Sequence, residues 1–246
     1  MTDEDVKGLH LPDVGDVNIL GGEGNEVLVG SSCPNTVIAF NGTGNRVCIE
    51  RGNRGKGEIN IGVVGNGNEI RIGYLQSEGQ VTIRCGGNNG KIEIGELWVG
   101  KSLLIVSGGE LAGVKSENAV CRIGSGVSAE SLTILNYHTN AVVSVGDGCM
   151  FAHGVTLMNS DTHPIYSMET GEIINRPAAP LHIGDKVWLG MNSTVLKGVS
   201  VADGCIVGYN ATVSKSCLDP HVAIAGCPAQ IVRRNIRWDK QDAAFI

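Results

Sequence analysis

Aliphatic and small residues recur every six positions in the C-terminal half of the chain. A small or branched residue follows each aliphatic residue four positions later. A period of six fits neither a helix of 3.6 residues per turn nor a plain two-residue strand alternation. It predicts a coil with three flat sides, each side one hexapeptide whose aliphatic residue points into a narrow prism. The aliphatic positions are Ile183, Leu189, Val195, Val201, Val207 and Val213, and the small positions are Val187, Ser193, Val199, Cys205, Ala211 and Cys217.

The N-terminal half carries a looser repeat of roughly twenty residues. Each copy has a turn of Gly and Asn, residues that tolerate positive φ and suit a tight corner. Alternating aliphatic residues follow the turn and predict a short strand with one face inward. The copies start at Gly22, Gly42, Gly65 and Gly87.

Both repeats together predict an all-β solenoid that forms a single domain over residues 1–246. We expect irregular N-terminal coils over 1–120, regular hexapeptide coils over 121–219 and a C-terminal cap over 220–246. Prolines at 220 and 228 break the repeat, and apolar residues at 231, 232 and 236 predict a short capping helix. Without a cap, the last coil would present an open strand edge.

Composition and charge narrow the class of protein. The 246 residues include 36 glycines without a three-residue period, which excludes collagen, and 42% hydrophobic residues, which exclude wholesale disorder. The net charge of −6 argues against non-specific binding to nucleic acid or to an anionic membrane surface. No run of 18 apolar residues predicts a membrane span, and the acidic start from Met1 to Asp5 does not resemble a secretory signal.

Cysteine usage points to a reducing compartment. The eight cysteines are scattered singly, in patterns such as Val47-Cys48-Ile49 and Gly204-Cys205-Ile206. We interpret them as reduced core thiols of a cytoplasmic protein, and not as a disulfide or zinc framework.

The hexapeptide phase holds through Leu157 and resumes at Ile183, so a loop over 159–182 interrupts the solenoid. Long loops on a rigid scaffold are commonly functional. This loop carries His163, and an imidazole can take a proton from a hydroxyl at neutral pH and return it later. Asp161 is two residues away and could fix the imidazole tautomer, a role that Asn159 could share. The alternative is that His163 is only a solvated loop residue.

Three segments carry a resemblance to a known family: 159–165 (NSDTHPI), 170–177 (TGEIINRP) and 183–190 (IGDKVWLG). They resemble hexapeptide-repeat O-acetyltransferases that modify bacterial surface polysaccharides, of which polysialic acid capsule O-acetyltransferases are the nearest type. The segment 226–229 (GCPA) matches the turn that precedes the terminal helix in this family, near the adenine end of the donor. The resemblance implies a left-handed parallel β-helix, an exception to the usual right-handed crossover.

The resemblance also implies roles for individual residues. In the family, the histidine that matches His163 is a general base, so that a sugar hydroxyl attacks the thioester of acetyl-CoA directly. It implies a homotrimer whose active sites lie between chains, with the loop 162–180 covering a partner, and no metal. The implied donor-binding residues are Trp188, Gly190, Met191, Gly208, Tyr209, Ser214, Lys215 and Arg233. The candidate acceptor-binding residues are Asn159, His153, Tyr166 and Asn175.

Other functions stay open at this point. An N-acetyltransferase acting on a nucleotide-linked amino sugar would use the same histidine on an ammonium group. A γ-type carbonic anhydrase shares the β-helix but needs three histidines on zinc, and His138, His153 and His163 are the only clustered set. Their spacing does not resemble that family's close histidine pair. A non-catalytic solenoid is the third alternative.

Overall fold

The computed structural model describes residues 17–52, 55–111, 113–176 and 179–241, without the side chain of Leu111. Three subjects of the sequence predictions lie outside the described residues. They are the acidic start at 1–5, part of the loop at 177–178 and the last residues of the cap at 242–246.

Parallel strands wind into a coil of about nine turns, as the repeats predict. Each strand pairs with the strand one turn later, so the strands stack into three flat faces of a prism. Face 1 contains β1 (Val17–Leu20), β3 (Thr36–Asn41), β5 (Ile59–Val64), β7 (Gln80–Gly86), β15 (Val155–Met158), β18 (Thr194–Leu196) and β21 (Thr212–Val213). Face 2 contains β2 (Glu26–Val29), β4 (Arg46–Arg51), β11 (Val120–Ile123), β13 (Val142–Val145), β16 (Leu181–Ile183) and β19 (Ser200–Val201). Face 3 contains β14 (Met150–Phe151), β17 (Trp188–Leu189), β20 (Ile206–Val207), β22 (Ala223–Gly226) and β23 (Ala229–Arg233).

Three long strands continue round the corners between faces. They are β6 (Glu69–Ser77), β8 (Lys91–Ser107) and β12 (Val127–Asn136). The short strands β9 (Glu110–Leu111) and β10 (Val114–Lys115) form a separate hairpin. We call the corner from face 1 to face 2 edge 1, the corner from face 2 to face 3 edge 2, and the corner from face 3 back to face 1 edge 3.

The prism interior is the hydrophobic core, and the predicted hexapeptide positions fill it. All six aliphatic positions from Ile183 to Val213 are buried, and so are the six small positions from Val187 to Cys217. Successive coils in this region are 18 residues apart, as in the pairing of Ile183 with Val201. The pattern of three hexapeptides per turn is therefore confirmed, because each face of the coil requires one inward aliphatic residue.

Asparagine side chains give the irregular coils their internal order along edge 1. The corner glycines Gly24 and Gly44 have positive φ, as predicted. The asparagines that follow these turns form a ladder inside the edge, where Asn25 Oδ1 accepts from the backbone N–H and the Nδ2 of Asn45, each at 2.9 Å. Asn45 repeats these two contacts with Asn68, and both are buried. The ladder satisfies backbone groups that a tight corner leaves unpaired.

The predicted capping helix is wrong. Residues 229–233 instead form the strand β23, which pairs antiparallel with β22 across a turn at Cys227–Pro228. Ile231 and Val232 stay exposed on this strand, so their spacing reflected a hairpin and not a helix face. Because β23 covers the free side of β22, it protects the last strand edge of face 3.

Cysteine burial follows the prediction with two exceptions. All eight cysteines are free, and six of them are buried. Cys48 is half-buried because Val47 and Ile49 point inward and turn it outward, and Cys227 is exposed in the terminal turn. Within the described part of the chain there is no helix that could span a bilayer.

Candidate active site

The loop that interrupts the repeat leaves the prism at edge 1, between β15 and β16. A short antiparallel turn closes it, in which the backbone N–H of Ile174 donates to the carbonyl of Ile165 at 2.9 Å. Asn175 strengthens the base of this turn, because its Oδ1 accepts from the N–H of Ile165 at 2.7 Å. Tyr166 forms a bridge with Ile173 on the turn and is exposed. The loop therefore projects from the prism surface with a conformation that its own hydrogen bonds hold.

A network of polar contacts around Asp161 fastens this loop to the coil. The Asp161 carboxylate accepts from the ammonium of Lys197 and, at 2.8 Å, from Nδ2 of Asn175. The hydrogen bond from Lys197 is the main reason that the pKa of Asp161 is lowered, and burial opposes it. Asn175 Nδ2 also donates to the carbonyl of His163 at 2.9 Å. The two predicted site residues Asp161 and Asn175 are thus in contact, and both hold the backbone that carries His163.

Thr162 lies between Asp161 and His163 in a backbone conformation that residues other than glycine rarely adopt. Its φ is 60°, in the left-handed region, where a β-branched residue is strained. Local hydrogen bonds hold it there, from Thr162 N–H to Ser160 Oγ at 3.1 Å and from Thr162 Oγ1 to the carbonyl of Asp161 at 2.7 Å. The chain consequently reverses direction immediately before His163.

The imidazole of His163 is exposed to solvent and forms no hydrogen bond with any part of the described chain. The sequence predicts that Asp161 fixes its tautomer, but the Asp161 carboxylate binds Lys197 and Asn175. Asp161 supports the loop that carries the histidine and does not contact the imidazole in this structure. The ring is free to meet an incoming hydroxyl.

His138 and Ser160 form a pair that the sequence did not indicate. His138 lies at the corner of the preceding coil, and its Nε2 is 2.7 Å from the Oγ of Ser160, which is fully buried. Burial and the nearby ammonium of Lys197 lower the pKa of His138, whereas Asp161 acts in the opposite direction. The pair anchors the start of the loop to the coil above it.

Asn159 is a support residue inside edge 1. It is only 6% exposed, and its Nδ2 donates to Asn136 Oδ1 at 2.9 Å and to the carbonyl of Val142 at 3.1 Å. These contacts repeat the asparagine ladder of the N-terminal coils. The expectation that Asn159 binds the acceptor therefore conflicts with its burial, because both donor hydrogens of its amide are used internally.

Three of the predicted residues form a column at edge 3, at the other side of face 1. His153, Met191 and Tyr209 occupy equivalent positions in successive coils, since Met150 pairs with Trp188 and Trp188 with Ile206. His153 is exposed, and Met191 and Tyr209 are 44% and 69% exposed. Large exposed side chains at a corner of the prism are available to a ligand or to another chain.

Trp188 projects outward from face 3, as predicted from its departure from the repeat. Its ring lies 6.1 Å from that of Trp238, with planes tilted by 46°. Trp238 Nε1 also donates to the carbonyl of Lys186 at 2.6 Å, so the C-terminal segment covers part of Trp188. One side of the tryptophan predicted to bind the donor therefore packs within the chain.

The packing of neighbouring coils leaves no room for a Cβ at position 190 and little room for one at position 208. A Cβ on Gly190 would lie 2.8 Å from the carbonyl oxygen of Val207, and one on Gly208 would lie 3.0 Å from Cβ of Ala225. The N–H of Gly190 already donates to Val207 at 2.7 Å, so it is not available to an oxyanion. The coil alone therefore explains these two glycines.

The predicted phosphate-binding cations lie at separate places on the prism. Lys215 and Ser214 are exposed at edge 1, one coil beyond Lys197 and Leu196. Arg233 is exposed on β23, opposite Ala223 of face 3. A single chain thus divides the predicted residues between edge 1, face 3 with the adjoining edge 3, and the terminal hairpin.

The histidines considered as a zinc set do not share an edge. His138 and the loop of His163 lie at edge 1, whereas His153 lies at edge 3. Among the residues that the structure describes, no group of three His, Cys, Asp or Glu side chains is arranged to hold a metal ion.

Comparison with known proteins matches the hexapeptide repeat and part of the remaining sequence to acetyltransferases. The family model "Bacterial transferase hexapeptide (six repeats)" matches residues 180–215. The polysialic acid O-acetyltransferase of Neisseria meningitidis is 37% identical over 99 residues, which are 40% of this chain and 46% of that protein. The enzyme of the same name from Escherichia coli O1:K1 is 35% identical over 102 residues, 42% of this chain and 33% of that protein. The aligned part thus spans less than half of either relative.

The similarity in structure extends over nearly the whole chain. The crystal structure of the polySia-specific acetyltransferase NeuO matches with a TM-score of 0.58 and 27% identity, covering 94% of this chain and 90% of that one. The chain therefore has the fold of a hexapeptide-repeat transferase. Within that class, it is similar to the polysialic acid O-acetyltransferases, both in part of its sequence and in its coil.

Proposed function

We propose that this chain is an O-acetyltransferase that transfers the acetyl group of acetyl-CoA to a hydroxyl of a bacterial surface polysaccharide or of its sugar precursor. The observation that carries the proposal is the exposed imidazole of His163 on a loop braced by Lys197, Asp161 and Asn175. A solvated loop residue would need no such bracing. The named activity of the similar proteins supports the choice of donor group and acceptor class.

In the proposed reaction, His163 accepts the proton of the acceptor hydroxyl while that oxygen attacks the thioester carbonyl. The C–O bond forms, and the C–S bond then breaks as the tetrahedral intermediate collapses. The coenzyme A sulfur leaves with the electron pair and takes the proton back from the imidazolium. His163 ends neutral, so that one base serves both steps.

We further propose that the acting species is a cytoplasmic homotrimer with active sites between chains. The division of site residues between edges 1 and 3 supports this, because the two edges of different prisms can face each other. The loop also exposes four large apolar side chains, which suits it to cover a neighbouring chain: Ile165, Tyr166, Met168 and Ile174. In this arrangement, Trp188, Met191 and Tyr209 line the donor groove, and Lys215 and Arg233 bind its phosphates. His153 of the donor side and Tyr166 of the loop then border the acceptor, and Asn175, whose amide is used within the loop, supports this border through its contacts with Asp161 and His163.

Replacing His163 by Ala tests the proposal directly. With radiolabelled acetyl-CoA and a panel of capsular polymers, we expect H163A to lower kcat by about 10²–10⁴-fold while acetyl-CoA still binds. His182→Ala is the matched control, because His182 is an exposed histidine on face 2 that contacts Ser144. Turnover that survives in H163A would refute the assignment of the base.

The product and the metal content distinguish the remaining functions. An O-acetyl ester is released by mild alkali, whereas an N-acetyl amide is not, so alkali-stable label would indicate the N-acetyltransferase. Stoichiometric zinc in the purified protein would indicate the carbonic anhydrase class. No transfer to any polymer or sugar nucleotide would favour a non-catalytic solenoid.

A further inference from the structure

Lys197 occupies the corner of the coil directly below the point where the loop leaves the prism. Met158 pairs with Leu196, so the next residues, Asn159 and Lys197, are neighbours at edge 1. The loop begins at Asn159 and returns to face 2 at Leu181. The ammonium of Lys197 is therefore placed beneath the loop.

The contacts of Lys197 join the two ends of the loop. Its Nζ donates to the carboxylate of Asp161, near the start, and at 3.1 Å to the carbonyl of Asn175, near the end. Asn175 in turn donates to Asp161, so the three groups form a closed set of hydrogen bonds. His163 lies on the segment enclosed by these contacts.

The ion pair differs from the surface pairs of this protein. The Lys197 side chain is 24% exposed, whereas the ion-paired side chains of Lys91 and Lys101 are 52% and 67% exposed. Exposed pairs contribute little because water screens them. A shielded pair with an additional hydrogen bond to backbone holds a defined geometry more effectively. Thr162, with its strained φ, directly follows Asp161, so the pair fixes the residue next to the turn that leads to His163.

We propose that Lys197 is a positioning residue for the acetyl transfer: it fixes the loop through Asp161 and Asn175 so that His163 is presented at a constant place. This inference rests on the proposed function of His163. Lys197 touches neither substrate in this proposal and acts through the loop alone. Its removal should lower kcat and leave the affinity for acetyl-CoA unchanged, because the hydrogen bonds of Lys197 go to Asp161 and Asn175 of the loop and not to Lys215 in the next coil.

The test compares Lys197→Met and Lys197→Arg with Lys101→Met as the control, which removes the exposed pair with Glu130. We expect K197M to lower kcat by about 10–100-fold, as small misplacements of a reacting group do, with an unchanged KM for acetyl-CoA. K197R should recover a large part of the loss, because it restores the charge and its donors. K101M should behave as the unchanged protein.

Two further readouts separate positioning from a general structural role. The double variant Asp161→Asn, Lys197→Met should be no slower than K197M, because both residues act in one network. The kcat of K197M should stay lowered at temperatures well below its thermal midpoint, and K197R should recover it there. A loss of activity that appears only near a lowered thermal midpoint would contradict the inference.

The outcomes also distinguish this inference from the proposed function. Full activity of H163A would overturn the proposed function and the inference with it. An inactive H163A together with a fully active K197M would overturn only the role of Lys197.

Discussion

Polar side chains at edge 1 serve two different purposes at the scale of single residues. Asn159 completes the inside of the corner, where both of its amide hydrogens are used by Asn136 and Val142. Asp161 and Asn175 lie outside the corner and brace the loop. The three residues are similar in chemistry, so only their position relative to the coil separates support of the fold from support of the site.

This distinction predicts that Asn159→Ala lowers stability. Loss of the Asn159 amide leaves the buried Oδ1 of Asn136 without its donor, which should cost about 1–3 kcal/mol. The measurement is the free energy of unfolding, or the thermal midpoint where unfolding is not two-state. Asn60→Ala is the control, because Asn60 is exposed on β5, and it should change stability by less than about 0.5 kcal/mol. If N159A keeps full stability and has a raised KM for the acceptor, the result would contradict the support role and favour the prediction that Asn159 binds the acceptor.

Sequence reasoning found the loop and singled out His163 on it, but it did not find the residue that braces them. The break between Leu157 and Ile183 is visible because every neighbouring hexapeptide keeps its phase. Lys197 looks like any corner lysine, 36 residues from Asp161 in the chain. Only the register of the coils places the two side by side, and the loop hides that register in the sequence. A six-residue count restarted after the loop, with Leu157 aligned to Val195, would have aligned Asn159 with Lys197.

Among the described residues, a strand pair and a returning segment close the C-terminal end of this solenoid, and no helix does so. The hairpin of β22 and β23 covers the last strand of face 3, and the segment after it turns back along the prism. Trp238 binds the carbonyl of Lys186, and the Lys240 ammonium donates to the carbonyl of Gly126 at 2.7 Å. The helix prediction failed because apolar spacing over a few residues does not distinguish a helix from a twisted hairpin, and pairing with β22 decided between them.

The C-terminal segment should therefore contribute measurably to stability through Trp238. Trp238→Ala removes a ring contact with Trp188 and a hydrogen bond to Lys186, together worth about 1–3 kcal/mol. Trp238→Phe keeps the ring and should lose less. Arg237→Ala, an exposed neighbour, is the control and should leave the thermal midpoint unchanged. Equal midpoints for W238A and R237A would show that the segment does not hold on to the prism in solution.

At the scale of the whole molecule, the predicted site residues are distributed over different corners of one repeating coil. The core of inward aliphatic residues keeps successive coils in register, so residues at equivalent corners form columns along the prism. Within one chain, edge 1 and edge 3 lie on opposite sides of face 1. In the proposed trimer, a complete site therefore combines two chains, with the His163 loop from one and the column of Met191 and Tyr209 from the other.

Mixing two inactive variants tests this arrangement. His163→Ala removes the base, and Met191→Glu places a carboxylate in the proposed donor groove, so each variant alone should be inactive. In mixed trimers assembled at random from equal amounts, about a quarter of the sites would combine an intact His163 with an intact donor edge. We therefore expect co-assembly to restore about a quarter of the unmodified activity, measured as acetyl transfer from radiolabelled acetyl-CoA.

Three controls make the mixing experiment decisive. Variants assembled separately and then mixed without exchange should stay inactive, which ties any recovery to shared sites. The double variant H163A, M191E mixed with unmodified chains should also give about a quarter of the activity of an all-intact trimer. Each double-variant chain inactivates two sites, the one to which it contributes position 163 and the one to which it contributes position 191. Full activity of M191E alone would remove Met191 from the donor groove. Failure of the two single variants to complement each other after proven co-assembly would place both halves of the site on one chain.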